Sequence, residues 1–317
     1  MPASLPPAIT QSDTPAAASA AHQRPQLSAV LELLKPITWF PPMWAFLCGA
    51  ISSGQSLTRD WLLVIAGIIL AGPLVCAMSQ AVNDWFDRDV DAINEPHRPI
   101  PSGRMPGQWG LYVAWAWTVL SLLWAAALGQ WVLGATVVGL AFAWAYSAPP
   151  LRLKLNGWWG NTAVAVCYEG LPWITGAAVL AAGEFPAWPL IAAASLYSLG
   201  AHGIMTLNDF KAIEGDRRMG VRSLPVQLGV MGAARTAWGV MAVAQFAVVG
   251  LLLWLDRPIQ AAVVMGLIIG QAVLARRFLA DPVAKATWFS ALAVALYVSG
   301  MMVTAFALAS LNRGGAL

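Results

Sequence analysis

Hydrophobic and polar positions fall in long blocks along this chain. Apolar runs occupy 40–56, 61–82, 110–129, 131–148, 162–183, 188–207, 232–255, 259–279 and 288–311, and polar stretches separate them. Most of these runs approach the roughly 20 residues that carry an α-helix across a hydrocarbon core about 30 Å thick. Backbone in lipid must satisfy its own hydrogen bonds, so each run predicts a helix. The expected fold is all-α: a polytopic membrane protein, a bundle of nine transmembrane helices with two Asp-rich cytoplasmic loops. The first run is short and led by Pro41 and Pro42, which points to an inclined entry. Residues 1–28, rich in Pro, Ala, Ser and Thr, lack the charged start and apolar stretch of a signal peptide. They read as a disordered cytoplasmic tail ahead of one transmembrane domain, 29–317.

Composition agrees: 59% of the 317 residues are hydrophobic and 10% charged, against about 45–50% and 25% in soluble domains. A soluble fold of this size cannot hide so much apolar surface. Cys48, Cys76 and Cys167 all lie in apolar segments without CxxC spacing, which excludes a disulfide framework and a zinc knuckle. The surplus of 18 basic over 15 acidic residues is small and suggests no nucleic-acid partner. Its distribution says more. With the N-terminus inside, only Arg59, Arg257 and Arg313 of the 18 fall outside, which orients the chain by the positive-inside rule.

Two polar stretches on that cytoplasmic side concentrate acid: Asn83-Asp84-Trp85-Phe86-Asp87-Arg88-Asp89-Val90-Asp91 with Glu95, and Asn208-Asp209 through Glu214 and Asp216. If the second apolar helix continues past Val82, Asn83, Asp87 and Asp91 form one oxygen-lined stripe, with Asp84 and Asp89 on adjacent faces. Such carboxylates repel one another unless a cation neutralises them. Mg²⁺ is the hard-oxygen candidate, taking one or two carboxylates and completing its shell with substrate phosphate and water. Arg98, Arg104, Lys154, Arg217, Arg218 and Arg222 supply the complement for a phosphate. Arg276, Arg277 and Lys285 need no more explanation than the positive-inside rule. Acids for Mg²⁺, bases for a diphosphate and a greasy interior behind them describe a site for a lipid diphosphate.

Asn83-Asp84-xx-Asp87-xxx-Asp91, the following Arg98-Pro99-Ile100-Pro101-Ser102-Gly103-Arg104 and the second acidic stretch resemble the UbiA-type intramembrane prenyltransferases over residues 30–310. Within that superfamily, Lys35-Pro36-Ile37-Thr38-Trp39-Phe40, Tyr146-Ser147-Ala148-Pro149-Pro150-Leu151-Arg152-Leu153-Lys154 and Asn208 to Asp216 look like the chlorophyll synthases. Phe40-Pro41-Pro42-Met43 and Tyr168-Glu169-Gly170-Leu171-Pro172 are closer to their bacteriochlorophyll branch. The resemblance implies a Mg²⁺-dependent transfer from geranylgeranyl or phytyl diphosphate to the propionate of bacteriochlorophyllide a, with pyrophosphate released, in a bacterial inner or intracytoplasmic photosynthetic membrane. It implies Asp87, Asp91, Tyr146 and Lys154 as catalytic residues. Asn83, Asp84, Asp87, Asp91, Asn208, Asp209 and Asp216 are the implied metal ligands, and Arg98, Arg104, Arg217 and Arg222 the diphosphate contacts. The second motif departs from the usual DxxxD: aligning its last Asp with Asp216 puts Ala212 first, with Asn208 and Asp209 one turn earlier.

Tyr146, Trp85 and Phe210 are the aromatics placed near both motifs by sequence, able to face a carbocation or to pack at the interface. Glu169, mid-membrane, has to face a cavity, be protonated or find a partner, and the substrate cavity is the expected place. His202 is either a ligand for the central metal of the macrocycle or a histidine hydrogen-bonded within the bundle. Phe40, stiffened by the prolines after it, is expected beside Glu169 in choosing the acceptor. The alternatives are a chlorophyll synthase or a transferase acting on a quinone precursor or haem. A membrane transporter is the alternative from another class, though it would place its charges near the midplane.

Overall fold

A computed structural model describes residues 24–181 and 183–313. Residues 1–23 of the expected tail lie outside the described residues, and its last two, Leu27 and Ser28, are already helical. The helices are α1 (Leu27–Leu34), α2 (Phe40–Ser52), α3 (Trp61–Asn94), α4 (Trp109–Leu128), α5 (Gln130–Ser147), α6 (Gly157–Leu180), α7 (Trp188–Asp209), α8 (Ile213–Met219), α9 (Leu224–Trp254), α10 (Pro258–Ala280) and α11 (Pro282–Arg313). No β-strand forms among the described residues. Among the described residues seven helices, α3, α4, α6, α7, α9, α10 and α11, are long and apolar enough to cross a membrane, so the chain is a multi-pass membrane protein. Two more apolar runs form shorter helices packed into the same bundle, α2 with 13 residues and α5 with 18.

The expectation of two Asp-rich loops needs correction. The second apolar helix runs through its acidic motif to Asn94, so the first cluster sits on rigid α-helix. Asn208 and Asp209 end α7, and Glu214 and Asp216 lie beyond, on the short α8. A loop reading fails because strongly polar sequence ends the hydrophobic run without ending the helix. None of these residues breaks a helix, and Ala81, Val82, Asp84 and Asp91 are buried on one face.

Prolines shape two spans. Pro73 lies inside a π-helical stretch of α3, Leu70–Cys76, and Pro172 follows a second one in α6, Val166–Gly170. A proline ring clashes with the carbonyl four residues back and removes one N–H, and a widened turn absorbs both. The Pro73 carbonyl is taken by the indole Nε1 of Trp117 on α4 at 3.0 Å, as backbone inside a membrane requires.

Lipid offers helices no hydrophobic reason to associate, so they hold by close packing and buried polar pairs. A side chain on Gly49 would overlap the Trp173 carbonyl, and one on Gly176 the Phe46 carbonyl, so α2 and α6 touch backbone to backbone. On the other side, Gln245 of α9 and Gln271 of α10 exchange amide hydrogen bonds of 3.0 and 2.8 Å, both fully buried. Gln245→Leu alone is expected to destabilise the protein by about 1 kcal/mol by stranding Gln271. Gln245→Leu with Gln271→Leu should recover most of that loss, read as the midpoint of unfolding in detergent.

Candidate active site

The acidic end of α3 presents its groups to two sides. Asp84, almost fully buried, takes the Lys35 ammonium on Oδ1 at 2.5 Å. Arg98 lies 3.5 Å from the same oxygen and donates to Asp91 at 2.9 Å and to Glu95 at 2.5 Å. Seven residues span two helical turns, so Asp84 and Asp91 stack on one face, and a single guanidinium can serve both. One turn away, Asp87 takes Lys154 Nζ at 2.5 Å, with Arg152 at 4.0 Å, and accepts from the Asn83 amide at 3.0 Å. The expected stripe of Asn83, Asp87 and Asp91 therefore divides, Asn83 with Asp87 and Asp84 with Asp91.

The end of α7 faces Asn83 across a chamber of about 270 Å³ between α3, α5, α6 and α7, with Asp87 hydrogen-bonded to Asn83 just outside the lining. Asn83, Asn208 and Asp209 line it with Tyr146 and Asn161, while Phe142, Ala163 and Val164 make the wall apolar and Gln80 and Tyr168 add a polar patch. Asp209 accepts from the Asn161 amide at 3.1 Å. Tyr146 stands where the fields of Asp209, Asp87 and Asp216 overlap, so the structure brings it between the two motifs. Asp216 sits near Asp209, and its partial burial raises its carboxyl from the usual range. Lys154 reaches Asp87 because Leu153–Leu155 forms a short 3₁₀ turn and Asn156 pairs through its backbone with Arg222.

Several expected residues stand elsewhere. Arg104 makes a bidentate pair with Glu32 of α1 at 2.6 and 2.9 Å, tying the 97–104 segment to that helix. Arg217 and Arg218 pair with Glu214 on the exposed α8, and Arg222 is exposed beside Ser223. Phe210 is core, edge-on to Phe278, and Trp85 lies beneath the Arg88 guanidinium, so neither ring faces the chamber. Phe40 is half-exposed and rests on Trp44, outside it. Glu169 is buried near Cys48 and Tyr297, with Oε2 unbonded among the described residues. Glu169 does not line this chamber, whereas its neighbours Cys167 and Tyr168 in the widened turn of α6 do. His202 accepts or donates at Nδ1 to Thr162, 3.1 Å away, on another side of α6.

Sequence reasoning missed Asn161, Gln80 and Tyr168 in the chamber. The Tyr168 hydroxyl accepts from Gln80 Nε2 at 3.0 Å and from Cys76 Sγ at 3.4 Å. A proline two positions beyond an intramembrane Gly was the available signal for an altered turn there.

A divalent cation suits the donor chemistry, which is carboxylate and amide oxygen throughout. Among the described residues no three His, Cys, Asp or Glu side chains gather as a ready-made metal site. Mg²⁺ asks for less, one or two protein carboxylates with phosphate and water oxygens, which Asn83 with Asp87 and Asn208 with Asp209 could supply. Asp84 Oδ2, buried and without a hydrogen bond, is a further unsatisfied oxygen.

The model of the UbiA prenyltransferase family matches residues 38–299. The chain belongs to this family. It is 58% identical over 288 residues to the bacteriochlorophyll synthase 33 kDa chain of Cereibacter sphaeroides, covering 91% of this chain and 95% of that one. It is 46% identical over 301 residues to the bacteriochlorophyll synthase 34 kDa chain of Chloroflexus aurantiacus, covering 91% and 94%. A UbiA homologue from Archaeoglobus fulgidus bound to DMAPP and Mg²⁺ superposes with a TM-score of 0.67 at 20% identity, over 86% of this chain and 98% of that one, which shows the shared fold. The chain is thus an intramembrane prenyltransferase.

Burial holds the Lys154 ammonium below the usual lysine range, against the opposing pull of Asp87. It loses its proton, and its hold on an anion, at lower pH than a free lysine. In this UbiA enzyme kcat/KM for prenyl transfer is expected to fall on the alkaline side beginning below that range. Lys154→Arg should move the fall upward, and an unmoved alkaline limb would show that Lys154 is not its source.

Proposed function

We propose that this chain joins a geranylgeranyl or phytyl group to bacteriochlorophyllide a, as an ester of its propionate, and releases pyrophosphate. The acceptor rests on the 58% identity to a bacteriochlorophyll synthase. The observation that carries the chemistry is an apolar chamber whose mouth holds acid and amide oxygens on two facing helices, with Lys154 and Arg152 at its edge. An apolar chain enters the chamber, and its diphosphate stays among the charges.

Asn83 and Asp87 on α3 and Asn208 and Asp209 on α7 would hold Mg²⁺ with the diphosphate, and Asp84, Asp91 and Asp216 support them. Mg²⁺, when bound, neutralises charge on the departing pyrophosphate. Lys154, Arg152 and Arg98, which balance carboxylates, are within reach of the same oxygens and shift their charge toward them. Arg217 and Arg222 approach from the α8 side. The C–O bond at the allylic carbon breaks with its electron pair leaving on pyrophosphate, and a propionate oxygen forms the new C–O bond. A carboxyl group with a pKa near 4 is ionised at neutral pH, so no strong base is required. Tyr146 turns its ring to the cationic carbon, an interaction of about 0.5–2 kcal/mol.

The chain crosses the membrane nine times, α2 and α5 included, with the N-terminus and both acidic motifs on the cytoplasmic side of a bacterial photosynthetic membrane. Charges crowd one end of the bundle, unlike those of a transporter.

Purified protein given geranylgeranyl diphosphate and bacteriochlorophyllide should form the ester only with Mg²⁺. Asp87→Ala and Asp209→Ala should each lose about 10²–10³-fold in kcat, and undiminished turnover in both would defeat this assignment. For topology, single cysteines at Ala92 and Ile213 should react with a membrane-impermeant thiol reagent only from the cytoplasmic side. Periplasmic labelling would reverse the orientation.

A further inference from the structure

The charged chamber is too small for both substrates. Pockets that enclose a drug-sized ligand run roughly 300–1,000 Å³, and about 270 Å³ must already take prenyl carbons. A tetrapyrrole needs another bed. A second cavity, about 310 Å³, lies between α6 and α7. Its walls are largely apolar, with Val166, Leu171, Ile174 and the half-exposed Leu199, and Gly170 leaves one side low.

One polar group in this groove has an unmet bond. His202 is buried, with 6% of its surface exposed, and its Nδ1 is engaged by Thr162. Its Nε2 has no hydrogen-bond partner among the described residues and less than 1 Å² of exposed surface, so a ligand reaches it only as the groove widens. The Trp158 ring stacks on the imidazole with centroids 5.6 Å apart and fixes its plane. An imidazole held at Nδ1 and free at Nε2 is the arrangement by which histidine binds a metal, since the hydrogen bond at one nitrogen sets the other's role.

The groove adjoins the reaction centre. Thr162 holds His202, and its neighbour Asn161 holds Asp209. His202 and Asp209 are separated by seven residues of α7, about 10 Å along the axis. A macrocycle centred near His202 has its edge substituents within reach of the chamber mouth.

We infer that the groove between α6 and α7 is the acceptor site, and that His202 Nε2 recognises the central magnesium of the macrocycle as its axial ligand. This rests on the bacteriochlorophyllide reading above and assigns the acceptor a place distinct from the prenyl chamber.

The test uses full-length protein in detergent, titrated with bacteriochlorophyllide and with its demetallated form, with absorption bands sensitive to metal coordination as readout. Wild type should bind the magnesium compound at least about tenfold tighter than the demetallated one and shift the coordination-sensitive band. His202→Ala should erase both the preference and the shift while leaving the apparent affinity for geranylgeranyl diphosphate unchanged, and added imidazole should restore the shift. Leu199→Trp, which narrows the groove from the lipid side, should raise KM for the acceptor alone and does not depend on the histidine surviving replacement. Equal binding of both compounds to wild type, or a preference that persists in His202→Ala, overturns the proposal. If wild type esterifies bacteriochlorophyllide under those outcomes, the functional reading stands and only the site is wrong. If wild type forms no ester, the reading fails and this inference falls with it.

Discussion

The site depends on keeping four carboxylates together at the end of one helix. Asp84, Asp87 and Asp91 lie on the last turns of α3 and Glu95 just past its end, and like charges this close repel one another. The chain answers with cations from three other segments: Lys35 before α2, Arg98 after α3 and Lys154 before α6. These segments thereby become fixed relative to α3. The same arrangement leaves the charge balance of the site exchangeable, because a cation that neutralises a carboxylate can equally serve a phosphate a few ångströms away.

Two irregular turns shape the space below the charges. The π-helical stretch at Leu70–Cys76 and the one at Val166–Gly170 lie in helices that both border the chamber. A regular α6 would distribute Cys167, Tyr168 and Glu169 differently around its axis. In the widened turn Cys167 and Tyr168 enter the chamber and Glu169 turns into the bundle. Tyr168 then accepts from Gln80 of α3, so the altered segment of α6 is pinned to the helix that carries the acids.

Much of this was legible in the sequence. The apolar runs marked the helices because lipid permits little else, and the spacing of the acids marked one face because a helix repeats every 3.6 residues. The continuation of α3 to Asn94 followed only conditionally, since polarity tells solvent from lipid and not helix from loop. The pairing of Asp84 with Asp91 through Arg98 was hidden, because which cation a carboxylate selects depends on where the loop after Pro96 turns back. Arg104 illustrates the same limit. Its motif suggested phosphate, yet Glu32, seventy-two positions away, takes both its amino groups. The direction in which Glu169 points was hidden because a π-helical turn changes the angular position of every side chain it contains, and only Gly170 and Pro172 hinted at one.

The segment after α7 differs in kind from the rest of the site. The short helix α8 buries no residue fully, and Ile213 alone among its residues packs against the core, so apolar packing does little to set its position. Backbone hydrogen bonds set it instead: Val221 N to Asp216 O at 2.9 Å, Arg222 N to Leu155 O at 2.9 Å and Gly157 N to Arg222 O at 2.8 Å. The last two join it to the turn that carries Lys154. Elements held by few buried contacts open at low free-energy cost, whereas α3 and α7 are locked into the bundle. The acids that define the centre thus sit on the rigid part, and Arg217, Arg218 and Arg222 sit on the part least constrained by packing. The Asn156–Arg222 bridge ties the segment that follows α8 to the turn carrying Lys154, and Lys154 ties that turn to Asp87.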